Sequence, residues 1–321
     1  MPSFLKLCAA LALALATGAA AAQTWPAKPV RIMVGASPGG GTDIIARLLG
    51  EKLADAFKQQ FVVENRPGAS NTIAADVTAR AAADGTTLLL ATNTAQAIAP
   101  HLLKLGYDPL RDLAPVSLII VVPNVIVMNN AVPAGTVREL VALMKARPDS
   151  FSFGSSGTGS TQHLAGEAFK LATGTVATHV PYKGSSQALA DLIGGQIQLN
   201  FDTTSSAMSF IKSGKVKVLA VMTPKRSAEL PDVPTLAEAG YPGVEMSTWY
   251  GMYTTAGTPK PVVERLHAEL ARIVKLPDVQ SRLAALGGEI AALTTEQFAG
   301  FARAEYERAG KLIRDAKVKI D

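Results

Sequence analysis

Ten residues, Val34-Gly-Ala-Ser-Pro-Gly-Gly-Gly-Thr-Asp43, place three consecutive glycines between an apolar strand-like run and a helix-like one. Unpaired N–H groups at a helix N-terminus point toward negative charge, so such a turn suits an anion. A phosphate-binding Walker loop needs Lys and then Ser or Thr after its last glycine, whereas here Gly41 and Thr42 follow Gly40. The dinucleotide fingerprint fails too, because Ile44 stands where its third glycine belongs. An anion nest and a plain structural turn remain. Asp43 reads as an acid facing the helix dipole.

A second stretch of the same kind is Phe153-Gly-Ser-Ser-Gly-Thr-Gly-Ser-Thr-Gln-His163, where Ser155, Ser156, Thr158 and Ser160 supply hydroxyls ahead of the helix. Capping a helix accounts for one of them, not all four. Two glycine-rich helix N-termini facing each other across a cleft would give a carboxylate donors from both sides and so favour a closed state. Thr92-Asn93-Thr94, Pro181-Tyr182-Lys183-Gly184 and Asp202-Thr203-Thr204 follow three further strand-like runs, at the carboxyl ends where open α/β sheets bind ligands. Asp202 would accept from a ligand amine or hydroxyl, or else cap a helix. His163 reads as structural, and Lys183 either pairs an acid or is solvated.

Catalytic signatures are missing. Gly154-Ser-Ser-Gly157 is one residue short of a nucleophile elbow. Ser209 and Lys212 match S-x-x-K inside an ordinary helical pattern without its partner motifs, and His101, His163, His179 and His267 lack metal-ligand spacing. No catalytic residue, metal or cofactor is therefore expected.

The elements that must position these loops follow from period. Lys6, the apolar run Cys8 to Ala16 and Ala20-Ala21-Ala22 form a secretory leader cleaved after Ala22, which implies an exported protein. Cleavage removes the only cysteine and leaves 299 of 321 residues, with the net charge falling from +5 to +4 as Lys6 goes. That length suggests two lobes. Acids and bases are interspersed and no basic cluster with aromatics appears, which argues against nucleic acid. Strand runs are expected at 30–36, 60–64, 87–91, 151–154, 177–180, 197–201 and 216–222, alternating with helices, one of them carrying Ile44, Leu48, Leu49, Leu53 and Phe57 on its apolar face. Capping boxes at Thr136/Glu139 and Thr294/Gln297 start helices near Val137 and Thr295. Two apolar runs, 116–122 and 125–128, are separated only by Pro123-Asn124, which marks a crossover between lobes; a return is expected near 223. Lobe one would then comprise 23–123 and 223–321, and lobe two 124–222.

Taken together, Gly39-Gly-Gly-Thr-Asp43-Ile-Ile-Ala-Arg47, Gly154 to Glu167, Val180-Pro-Tyr-Lys-Gly184, Leu230-Pro-Asp-Val-Pro-Thr235, Glu238-Ala-Gly240, Trp249-Tyr-Gly251 and Ala256-Gly-Thr-Pro259 resemble the Bug receptors, the substrate-binding proteins of tripartite tricarboxylate transporters. The resemblance covers essentially the whole chain after the leader. It implies an α/β, two-lobe periplasmic binding protein fold of type II-like form, each lobe a mixed sheet flanked by helices, with two hinge crossovers. It also implies a non-catalytic receptor, expected to be a monomer, that closes on a small organic acid and works with membrane transporter subunits. An exported hydrolase or a ligand-presenting sensor is the alternative. Carried over with the readings above, the ligand-binding residues would be Ala36, Ser37, Gly39, Gly40, Thr42, Thr92, Asn93, Ser155, Ser156, Gly157, Thr158, Gly159, Ser160, Tyr182 and Asp202. Where relatives often carry Pro-Phe, this chain has Gly35-Ala36, which would widen the pocket for a longer or aromatic acid.

Overall fold

The computed structural model describes residues 25–291 and 293–315; the expected leader, its cysteine and its cleavage site lie outside them. Strand β1 (Val30–Val34) enters helix α1 (Gly41–Phe57) through the triple-glycine turn, and β2 (Phe61–Asn65), α2 (Thr72–Ala79) and β3 (Thr87–Thr92) follow. β1 is parallel to both β2 and β3 and is buried except at Arg31. The apolar face of α1 is carried by Ile45, Leu48, Leu49 and Leu53, all buried. Ile44, expected on that face, is exposed. Ile45, Leu49 and Leu53 recur at four-residue steps, and a residue one step before them lies about 100° around the helix.

The two apolar runs around Pro123-Asn124 form one sixteen-residue strand, β4 (Leu113–Met128). After it come α3 (Val137–Ala146), β5 (Ser152–Ser155), α4 (Thr161–Thr173), β6 (Thr178–Pro181), α5 (Ser185–Ile193), β7 (Leu199–Thr203), α6 (Thr204–Lys212) and β8 (Lys217–Val221). The remaining elements are β9 (Ser247–Thr255), α7 (Lys260–Ile273), α8 (Pro277–Ala285), β10 (Glu289–Ile290) and α9 (Thr295–Asp315). Both expected capping boxes form. Thr136 Oγ1 accepts from Glu139 N–H at 3.2 Å while Glu139 returns a bond to Thr136 N–H, and Thr294 with Gln297 does the same.

β4 belongs to two sheets. As far as the Pro123–Ser247 pair it is antiparallel to β9, and from the Asn124–Thr203 pair onward it is antiparallel to β7. Pro123 ends one ladder without ending the strand. The first sheet runs β2-β1-β3-β9-β4 and the second β4-β7-β5-β6, with β8 on the free side of β4. Each sheet is mixed, and helices cover them, so the molecule is an α/β protein of two lobes. Asn124, fully buried at the junction, donates to Phe201 O at 3.1 Å and accepts from Thr248 Oγ1 at 3.0 Å. Residues between β8 and β9 stay against the second sheet: Thr235 bridges Val221, Leu236 N–H donates to Val221 O at 3.1 Å, and Leu236 is buried in a cluster with Val137 and Leu140. The chain then passes alongside its own path, Met246 N–H donating to Met222 O at 2.7 Å.

Candidate functional site

The loops at the ends of β1, β3, β5 and β7 converge on a narrow cleft between the two sheets, with a cavity volume of about 20 Å³ as the lobes stand. The first lobe contributes Ala36, Gly40, Gly41, Thr42, Asn71, Thr92, Thr94, Thr248 and Tyr250; the second contributes Ser156, Thr161, Gln162, Ser185, Thr203 and Ser206. No lining side chain is charged. Positive potential comes instead from backbone, because α1, α4, α5 and α6 all begin at this cavity. Of the four, only α4 has a side-chain cap, Ser160 accepting from His163 N–H at 3.2 Å. The other three have no side-chain cap of their own; at α1 the first N–H, of Gly41, is taken by Ser206 Oγ from across the cleft, and the remaining end N–H groups are left for whatever occupies it.

The lobes are closed on each other. Gly41 N–H donates to Ser206 Oγ at 2.9 Å, Ser37 Oγ donates to Lys183 O at 2.8 Å, Thr161 Oγ1 meets Thr248 Oγ1 at 2.9 Å, and Ser205 Oγ meets Tyr250 Oη at 2.7 Å. Ser70 Oγ also donates to Thr158 O. The glycines serve this approach. A Cβ on Gly41 would lie 2.9 Å from Ser205 Cβ and one on Gly184 2.9 Å from Ser37 N; within the first lobe, one on Gly35 would collide with Asn71.

Asp202 is fully buried just beneath the lining residues. Its Oδ1 accepts from Thr203 N–H at 2.7 Å, Ser185 Oγ at 2.8 Å and Gln162 Nε2 at 3.4 Å, and its Oδ2 accepts from Asn200 Nδ2 at 3.0 Å. Burial pushes its carboxyl up to about 6, against the pull of these hydrogen bonds. Three of its donors, Thr203, Ser185 and Gln162, also line the cavity, so Asp202 orients the wall without being part of it. In Asp43 the balance is reversed. Burial raises its pKa, but Arg47, Gly39 N–H and Asn65 hold it below its ordinary value, and it ties down the glycine turn.

Among the residues singled out in the sequence, Ala36, Gly40, Thr42, Thr92 and Ser156 face the cavity. The others lie in its surrounding loops. Gly39 takes a positive φ of 78° and donates to Asp43, Asn93 Nδ2 donates to Ser247 O, and Tyr182 Oη donates to Asp191. Ser155 Oγ meets His179 Nε2 at 2.7 Å, Gly157 and Gly159 have positive φ, and Ser160 caps α4. His163 stacks on His179 with ring centroids 4.0 Å apart, and burial together with His163 drives His179 down to about 3. Thr248, Asn71 and Ser206 carry no signal in the sequence, and Tyr250 stands there only within the Trp249-Tyr-Gly251 motif, with no site role attached. β9 runs antiparallel to β3, so its amino end reaches the cleft, and a search restricted to carboxyl ends passes over it. Asn71 arrives on a loop where Ala69, Ser70 and Asn71 all adopt left-handed backbone, which no periodic pattern announces.

Residues 45–318 match the TctC family, described as the tripartite tricarboxylate transporter family receptor. Over 98% of both chains the sequence is 36% identical to the protein BugT of Bordetella pertussis. Two solved structures share the architecture: R. palustris Rpa4515 with adipate, 35% identical with TM-score 0.89 over 92% of this chain and 99% of that one, and MatC of Rhodopseudomonas palustris with bound malate, 30% identical with TM-score 0.86 over 90% and 100%.

Proposed function

The chain belongs to the receptor family of tripartite tricarboxylate transporters, a family of periplasmic solute-binding proteins and not of enzymes, and from that premise we propose that its cleft captures a small organic dicarboxylate. The observation that carries this reading is the convergence of four helix N-termini, three without side-chain caps, on a cavity walled by hydroxyl and amide groups and no charge. Each helix end favours an anion by about 0.3–1 kcal/mol, more when partly buried. One carboxylate sits against Gly40, Gly41 and Thr42 from the first lobe and Ser156, Thr161 and Gln162 from the second. Because its donors come from both lobes, it stabilises the closed form over the open one. Adipate and malate in the two similar structures support the ligand class.

The first lobe is proposed to comprise 25–123 and 247–315, and the second 124–246. The return is set at 246/247 in place of 222/223 because Thr235 and Leu236 pair with Val221. Ala36, on the wall where relatives often carry an aromatic ring, is proposed to leave room for a ligand of adipate length or an aromatic acid once the lobes part around it. Export with cleavage after Ala22, action as a monomer and delivery to membrane subunits complete the proposal. Thermal unfolding across mono-, di- and tricarboxylates tests it: a ligand at 100 times its Kd adds about 2.7 kcal/mol. A shift confined to dicarboxylates is expected, and none with any acid would overturn the reading.

A further inference from the structure

A second cavity of about 160 Å³ lies in the first lobe, between the start of β4, strand β9 and helix α9. Gln96 and Tyr253 form part of its wall, and they are 3% and 2% exposed. The carboxamide nitrogen of Gln96 and the hydroxyl of Tyr253 have no hydrogen-bond partner among the described residues. Buried polar atoms are nearly always partnered, so two orphans on one cavity point to something that bonds them both. Burial holds the Tyr253 phenol well above its usual range, which keeps its proton available for donation. Arg303 stands exposed at the edge. All three groups donate. Leu110 and Leu113 supply apolar wall, and Gly300 leaves space, since a Cβ there would meet nothing within 4 Å.

We infer that this cavity is a second ligand site, for a small monocarboxylate with an apolar body and not for a dicarboxylate such as adipate, whose second charge would lie unpaired on the apolar wall. Its oxygens accept from Gln96, Tyr253 and Arg303 while the body lies on Leu110 and Leu113. The site is wired to the cleft. Gln96 belongs to a π-helical turn, Thr94–Ile98, whose Thr94 lines the cleft, and Tyr253 shares β9 with Tyr250. π-turns concentrate at functional sites, and a shared rigid element lets one occupant alter the affinity for another.

The test is titration of the full protein with 4-fluorobenzoate by fluorine NMR, with excess adipate present to fill the cleft. One equivalent is expected to bind, to disappear in Gly300→Leu, and to bind about tenfold more weakly in Tyr253→Phe, the loss of one hydrogen bond to a charged group. Both variants should bind adipate alone as the parent does. No binding under adipate, or undiminished binding in both variants, overturns the proposal and leaves the orphaned atoms to water. If adipate itself fails to bind, the cleft reading fails, yet a fluorobenzoate equivalent removed by Gly300→Leu still supports this second site.

Discussion

Replacing Gly41 with alanine should separate closure from folding. The added Cβ would lie 2.9 Å from Ser205 Cβ, 3.0 Å from Tyr250 Oη and well inside contact distance of Ser205 Oγ. Gly41 and Tyr250 belong to the first lobe and Ser205 to the second, so the severe clash exists only when the lobes meet. To escape it, Ser205 must leave Tyr250 Oη at 2.7 Å and Thr203 Oγ1 at 2.9 Å. Stranding buried Tyr250 without its partner costs about 1–3 kcal/mol. At tenfold per 1.4 kcal/mol, carboxylate affinity should fall about 5- to 150-fold. The open form keeps only the tight 3.0 Å approach to Tyr250 Oη, whose hydroxyl is then free to give, and alanine is a better helix former than glycine by about 0.8–1 kcal/mol. Calorimetric titration with adipate, paired with thermal unfolding of the ligand-free protein, should show weaker binding at an unchanged or slightly raised Tm. Unaltered affinity, or a ligand-free Tm that falls in step with affinity, would refute the reasoning.

Gly40→Val should also weaken binding while sparing the fold, because Gly40 faces the cavity with only Ser37 O near a Cβ, at 3.3 Å; an unchanged Kd would remove this loop from the site. Asp202 has a folded pKa near 6, above its ordinary 3.8. Its contribution to stability is therefore full below about pH 4 and lost as pH rises through about 6. A bound anion nearby raises that pKa further, so dicarboxylate affinity should fall between pH 6 and 8, and Asp202→Asn should flatten the slope; a pH-independent Kd in the parent protein contradicts this. Asn124→Ala leaves Phe201 O and Thr248 Oγ1 without their buried partner. Urea unfolding should show a loss of about 2–4 kcal/mol, whereas a loss below 0.5 kcal/mol would mean the junction does not depend on this side chain.

Much of the fold could be read from local pattern. Strand runs and capping boxes depend on neighbouring residues alone, and β1, β3, β5 to β8 and the starts of α3 and α9 fall within two residues of where period and spacing put them. The crossover at Pro123-Asn124 was legible because proline interrupts a ladder; that β4 continues through it was not, because continuity depends on β9 ending its pairing where β7 begins. Of the expected α1 face only the first residue differs, Ile45 being buried in place of Ile44, because the two are alike in chemistry and differ only in what they meet. In the site, the glycine and hydroxyl loops announced themselves by composition. Tyr250 and Thr248 did not, since an apolar strand such as β9 hides which of its polar tips reaches a cleft. Asp202 was legible as important, but its place beneath the wall depends on Ser185 and Gln162, which are distant in sequence.

The account rests on recognition of carboxylate charge by uncapped helix ends, and the most direct measurement is parallel calorimetric titration with adipate and with its neutral diamide, adipamide. The two have nearly the same length and shape and differ in charge. One equivalent of adipate should bind, with adipamide at least a hundredfold weaker, because each lost charged hydrogen bond is worth about 1.5–3 kcal/mol. Equal binding of the two, or of neither, would contradict the claim that this cleft reads an anion.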